Sequence, residues 1–213
     1  MSLSYYSRMR FTHNLLPLLT SAPHFARSLS ILSAGFEAPL NLTDLDLKTS
    51  FSLSKCADHT ITMNTLMTTE FAKRNPSVGF VHSYPSAVDT GLMREMPLWA
   101  RVGLKVVKPL MGLFFVGKGE TGDRQLFVGS SGVYPAKGRG SVHGLEVPSK
   151  MEVACGTDGV RGSGGYMANW TGEPAKRKGI VREYVEGGVG EKVWEHTMGV
   201  FERAERINAE RKV

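Results

Sequence analysis

Apolar and polar positions alternate in two registers along this chain, and the switches between registers divide it into elements. Near the amino terminus Met9, Leu15, Leu16 and Leu19, with Phe11 nearby, form a stripe at roughly helical spacing. Pro17 predicts a kink in that helix, and Pro23 lies a few residues past its end, where a proline commonly stops one. Ser28 to Leu32 is a short run that predicts a buried strand, delivering Ser33 to its end before Ala34-Gly35. Asn41 to Thr49 is polar, carries Asp44 and Asp46, and has the pattern of a surface loop. A long helix is predicted from Ser52 to Arg74, where Ile61, Leu66, Met67 and Phe71 supply bulk. On the same segment Ala57, Asn64, Thr65, Thr68, Thr69 and Ala72 are small or polar enough for close packing, and Asn75-Pro76 ends it. Val78-Gly-Phe-Val-His-Ser83 reads as a second strand, and Pro85 to Met93 as a loop at its carboxyl end. Strand, helix and strand at this spacing make one βαβ crossover, which implies a parallel sheet. Ligands of open α/β sheets bind at the carboxyl ends of the strands, the edge to which Ser33 and Pro85 are delivered.

Downstream the pattern loosens. Leu98 to Val116 is apolar but carries Arg101, Lys105 and Lys108 on one helical face, and its uncharged run falls short of the ~20 residues a membrane span needs. A helical lid over a pocket accounts for it better than an interfacial membrane helix. Gly117-Lys-Gly-Glu-Thr-Gly122 has the spacing of a phosphate cradle, but neither a second strand nor an acidic residue about twenty positions on completes that motif. We expect one short helix over Asp123 to Val128, then turn-rich chain punctuated by glycines as far as Gly165. Tyr166 to Trp170 reads as a last short strand, and Glu191 to Arg211 as a terminal helix with Val193, Trp194, Met198 and Phe201 on its apolar side.

A length of 213 residues, 41% of them hydrophobic, suits a single core, divided here into residues 1–135 and a Gly-rich remainder, 136–213, of the same domain. The net charge of +6 is a mild basic excess that favours anionic partners such as a nucleotide. Its cations are scattered rather than interleaved with aromatics, so no nucleic-acid surface is expected. Cys56 and Cys155 have no pairing or metal spacing, which fits a reducing compartment and a cytoplasmic protein. The six histidines show no metal-ligand spacing either. Residues 1–36 hold no acidic residue, which also describes a mitochondrial transit peptide, but the apolar stripe there favours a structural helix.

The order of marks then resembles the short-chain dehydrogenase/reductases, over about residues 4 to 134 with a weaker echo around Tyr166 to Trp170. A helix containing Leu15-Leu-Pro-Leu-Leu19 precedes a strand ending in Ser33-Ala-Gly35. Asp44-Leu-Asp-Leu-Lys48 is similar to an acidic insertion of retinol-dehydrogenase-like members, and Phe51-x-x-x-Lys55 occupies the place of the family's Tyr-x-x-x-Lys. Pro85-Ser-Ala-Val-Asp-Thr90 is similar to its Pro-Gly-x-x-x-Thr, and Gly122 to Phe127 to a helix of fungal members. The resemblance implies an α/β fold, a partial Rossmann-like three-layer sandwich retaining the last parallel strands, with residues 1–135 as its truncated core. It implies a nicotinamide cofactor, NADP or NAD, and the interconversion of a small carbonyl and alcohol, in fungal secondary metabolism. Ser33 would orient the substrate carbonyl, Lys55 would bind the nicotinamide ribose and lower the pKa of a neighbouring phenol, Thr90 and the backbone near Val88 would hold the carboxamide, and Pro85 would belong to the same cofactor-binding turn. The family's tyrosine moves the proton that accompanies hydride transfer. Phe51 has none to give, and Tyr84 at the mouth of the second strand is a candidate replacement for the lost phenol, though a tyrosine there more often packs its ring. The family's helix-borne asparagine falls at Ser4, Ser86 replaces a glycine, and the family's cofactor-binding half would precede the first helix. A rival expectation is a non-catalytic module that associates with itself or with a full-length relative through residues 4–20 and 52–74.

Overall fold

In the computed structural model, which describes residues 1–88, 115–138 and 146–211, three parallel strands form the central sheet. Strand β1 is Arg27–Ile31, β2 is Gly79–Ser83 and β5 is Gly165–Ala168, in the spatial order β1-β2-β5. Every residue of β2 is buried, so the sheet is covered on both faces, as parallel sheets require. Side chains of one strand alternate between the faces. Phe80 stacks on Phe71 of helix α2 (Leu53–Arg74) at 5.4 Å and His82 meets Thr65 of the same helix. Val81 packs with Val128 and Ser83 bonds Gln125, both on helix α3 (Lys118–Ser130), so helices α2 and α3 enclose the sheet from opposite sides.

Helix α2 starts where Ser52 accepts a hydrogen bond from the Lys55 N–H, a side-chain cap contributing about 1 kcal/mol. The residues before the cap are ordered by Asp44, which accepts from the backbones of Lys48, Thr49 and Ser50 and from the Thr49 and Ser50 hydroxyls. Those bonds hold the Asp44 carboxyl well below the usual carboxylate range. The expected polar surface loop thus also buries Leu45 and Leu47, because its acidic residue is spent on its own backbone and its leucines are free to turn inward. At the other end of α2 the Asn75 N–H bonds to the Phe71 carbonyl, and Pro76 prevents continuation. The small residues of α2 receive β5: a Cβ on Gly165 would stand 3.1 Å from the Thr68 carbonyl oxygen and 3.2 Å from the Ala72 methyl.

The amino terminus enters through a π-helical turn (Ser2–Tyr6) and then α1 (Ser7–Ser21), which accommodates Pro17 internally. The carboxyl-terminal segment completes the α2 side. Helix α4 (Gly179–Glu186) was not foreseen from the sequence, and it connects through Gly188, at φ +69°, to α5 (Val189–Glu210). Helix α5 lays Val193 and Phe201 against Met63, Leu66 and Phe71, and the Tyr5 hydroxyl bonds Thr197 at 2.7 Å. Each large side chain so buried contributes about 1.5–3 kcal/mol. Arg74 lies over the Trp194 ring at 4.2 Å while bonding Glu70 and Glu191, which fastens the end of α2 to the start of α5.

Helix α3 is longer than expected and takes in the Gly117 to Gly122 segment, with Gly117 at its N-cap. The preceding β4 (Phe115–Val116) pairs in parallel with β3 (Ala87–Val88), outside the central sheet. The expected lid over Leu98 to Val116 lies outside the described residues apart from β4.

Candidate active site

The register of the sheet gathers three chain segments at one edge. Ile31 pairs with Ser83 and Ser83 with Ala168, so β1, β2 and β5 end level with one another. Two further ladder bonds, Leu32 N–H to the Ser83 carbonyl at 2.8 Å and Tyr84 N–H to the Ala168 carbonyl at 3.0 Å, carry the alignment past the strand ends. Ser33, Tyr84-Pro85 and Asn169 therefore emerge side by side at the carboxyl edge.

Ser33 is half-buried, and its N–H donates to His82 Nε2 at 3.2 Å. The chain then reverses at Gly35 (φ +94°), whose N–H donates to Glu37 Oε1 at 3.0 Å. Glu37 Oε1 also accepts from the Thr65 hydroxyl at 2.8 Å, and Thr65 Oγ1 lies 2.7 Å from His82 Nδ1. Glu37, Thr65 and His82 are all buried, and Lys178 donates to the Glu37 backbone carbonyl at 3.1 Å. Burial lowers the His82 imidazole to about 3, with Arg8 adding to the effect. Phe36 stands edge-on to the Tyr84 ring at 4.9 Å, so Tyr84 packs its ring against the turn after Ser33. On the opposite face Ser83 donates to Gln125 Oε1 at 2.8 Å, leaving the buried Gln125 Nε2 and the neighbouring Thr121 hydroxyl without partners among the described residues.

Lys55 is exposed on the first turn of α2. Helix α2 runs antiparallel to the strands, with Ala72 near the start of β5 and Thr65 beside His82. Lys55 lies ten residues before Thr65, about 15 Å of helix rise, and so projects beyond the strand ends. No hydrogen bond or ion pair joins it to Ser33 among the described residues. Phe51 is 61% exposed beside the cap. Pro85 is half-buried two residues past β2, Val88 sits in β3 opposite Val116, and Thr90 lies outside the described residues. Ser86 adopts φ +69°, a left-handed conformation that a glycine takes without a steric cost.

Sequence reasoning missed Glu37, Thr65 and His82 as a group. A signal was present in Val78 to Ser83, where one imidazole interrupts a run of otherwise buried strand residues and must find polar partners. Among the described residues no group of three or more His, Cys, Asp or Glu side chains could hold a metal ion, and no helix is long and apolar enough to cross a membrane.

No family model matches the chain. It is 40% identical over 206 residues to an oxidoreductase of Emericella nidulans, covering 95% of this chain and 61% of that protein. It is 33% identical over 209 residues to an NmrA-like family domain-containing oxidoreductase of an Aspergillus species, covering 96% and 57%. A short-chain dehydrogenase/reductase of Stachybotrys chartarum is 26% identical over 215 residues, covering 96% and 58%. The chain is thus a homologue of fungal oxidoreductases along nearly all its own length, and the resemblance to the short-chain dehydrogenase/reductases is shown by these relatives. It spans about three fifths of their length.

Proposed function

We propose that this chain carries the substrate-facing part of a nicotinamide-dependent short-chain dehydrogenase/reductase acting on a small carbonyl or alcohol in secondary metabolism. The observation that carries this reading is the level ending of β1, β2 and β5, which sets the half-buried Ser33 and Pro85 on one edge. In this reading the Ser33 hydroxyl donates to the substrate carbonyl oxygen, and the Lys55 ammonium binds ribose hydroxyls. Thr90 and the backbone near Val88 would hold the carboxamide, with Pro85 in the same cofactor-binding turn.

The described residues fit the nicotinamide end of such a cofactor better than its pyrophosphate. Ser33 Oγ has no hydrogen-bond partner among the described residues, and the Lys55 ammonium is exposed. By contrast, Gly117, Gly119 and Gly122 follow a two-residue strand outside the central sheet. An added Cβ at any of the three meets nothing within 4 Å, so no close backbone approach selects glycine there. The cofactor, when bound, supplies or takes the hydride. The protein must supply the accompanying proton, and Phe51 cannot. Binding is therefore predicted to outlast turnover.

Millimolar NADPH or NADH is expected to raise the melting temperature, and no shift with either would overturn the binding assignment. Phe51→Tyr is expected to gain carbonyl reduction. The second reading, a non-catalytic association module, is favoured by Phe11 and Leu18 on α1, which are 69% and 70% exposed. The small-residue face of α2, by contrast, is covered by β5 within the chain. A monodisperse monomer in light scattering at high concentration would count against that reading.

A further inference from the structure

We propose that His82, Thr65 and Glu37 form a one-way hydrogen-bond relay that fixes the turn from Ser33 to Glu37, with the imidazole carrying its single proton on Nδ1. The directions follow from counting protons. A threonine hydroxyl has one proton to give, and Thr65 gives it to Glu37 Oε1 at 2.8 Å. Its oxygen can then only accept from His82 Nδ1, 2.7 Å away, so Nδ1 must bear hydrogen. The Ser33 N–H arrives at Nε2 from the other side at 3.2 Å and requires a bare lone pair there. The two ends of the relay demand the same tautomer.

Alternatives are closed by burial. His82 and Thr65 are fully shielded, and Glu37 is 3% exposed, so solvent cannot replace a wrongly directed bond. With the proton on Nε2, the Ser33 N–H would face another N–H, and Nδ1 and Thr65 Oγ1 would oppose lone pairs. Each unmet buried polar group costs about 1–3 kcal/mol.

The relay grips the turn at both ends. Ser33 N–H is held by His82 and Gly35 N–H by the same Glu37 oxygen that terminates the relay. The left-handed Gly35, at φ +94°, turns the following chain so that Glu37 comes back to the Gly35 amide, and Lys178 holds the Glu37 carbonyl from outside. What this leaves projecting from the edge is the Ser33 side chain. His82, Thr65 and Glu37 are positioning residues: they set where the Ser33 hydroxyl points without touching a substrate themselves. Their importance for chemistry rests on the function proposed above, whereas the relay stands or falls by itself.

The test is long-range proton–nitrogen correlation spectroscopy of the histidine rings in the full chain at pH 7, with His82 assigned by a His82→Gln variant. The expected spectrum shows His82 as a single neutral tautomer protonated at Nδ1, with a Ser33 amide that exchanges slowly. Thr65→Ser keeps both signatures, while Thr65→Val, equal in volume but unable to accept, loses the tautomer signature and speeds Ser33 amide exchange at least tenfold. An Nε2-protonated or doubly protonated His82 in the unmodified chain would overturn the relay, even if Thr65→Val failed to fold. So would a Thr65→Val protein with an unchanged tautomer and unchanged exchange. Failure of NADPH or NADH to bind would instead sink the proposed function and leave the relay intact.

Discussion

A histidine inside a fully buried strand makes the stability of this protein depend on acidity in a definite direction. The folded imidazole binds its proton only near pH 3, whereas the unfolded one does so near its ordinary value of 6.5. Between those limits the unfolded chain holds the extra proton, so stability falls as pH drops, by up to about 1.4 kcal/mol per pH unit. Above pH 7 the contribution is flat. The groups around the ring are Thr65 and Glu37 on one side and, more remotely, Arg8, which disfavours protonation further. His196 is also lowered by burial and adds to the slope, so denaturation midpoints are best compared with His82→Gln. The variant is expected to show a shallower loss between pH 6.5 and 5, above the range in which carboxylates titrate. Equal slopes would mean that the ring titrates normally. Ser86 supports a second residue-scale expectation. Its left-handed backbone costs about 1–2 kcal/mol, and replacing it by glycine adds about 0.4–1 kcal/mol of chain entropy to the unfolded state. Ser86→Gly should therefore raise stability modestly, by up to about 1 kcal/mol in urea denaturation. A loss would show that the Ser86 side chain contributes more than its backbone costs.

Among the elements, α2 does most to place the site. Its cap follows the Asp44 turn, its middle supplies Thr65 to the relay, and its last turns receive the backbone of β5 without any intervening side chain. Gly165 is the hinge of that contact, and the neighbours that a Cβ would press are two backbone atoms and a methyl group, none of which can swing aside. Gly165→Val is expected to cost about 1–3 kcal/mol or more and to broaden thermal unfolding, whereas Gly119→Ala, where a Cβ meets open space, should change little. Comparable midpoints for the two variants would contradict the close packing. Much of this element was legible in advance. The bulky and small residues between Ser52 and Arg74, with Asn75-Pro76 after them, marked α2 to within a residue. The relay was not legible, because it joins Glu37, Thr65 and His82, and pairings across that separation depend on the register between strand and helix. Nor was α4, whose short amphipathic run sits behind a glycine-rich stretch that reads as turns.

At the scale of the molecule, the amino-terminal helix and α5 close one face of the sheet while α3 closes the other, so the long Gly-rich segment is bracketed by structure that uses both its ends. Interior tyrosines tie the chain after α3 to β5 and the segment that follows it: Tyr134 bonds the Gly172 carbonyl and Tyr166 the Pro135 carbonyl, both at 2.8 Å. The parallel sheet and the edge carrying Ser33 and Pro85 could be read from the strand–helix–strand spacing. The placement of Lys55 could not, since a helix N-terminus overhanging the strand ends is a matter of helix length and direction rather than of motif. The role proposed for this edge is to receive a nicotinamide cofactor and a small carbonyl compound. Titration of the isotope-labelled chain with NADPH, followed through backbone amide shifts, tests it most directly. Shifts are expected to concentrate at Ser33, Gly35, Lys55 and Val88. Shifts confined to the glycine-rich segment between Gly156 and Gly165, or none at millimolar cofactor, would contradict it.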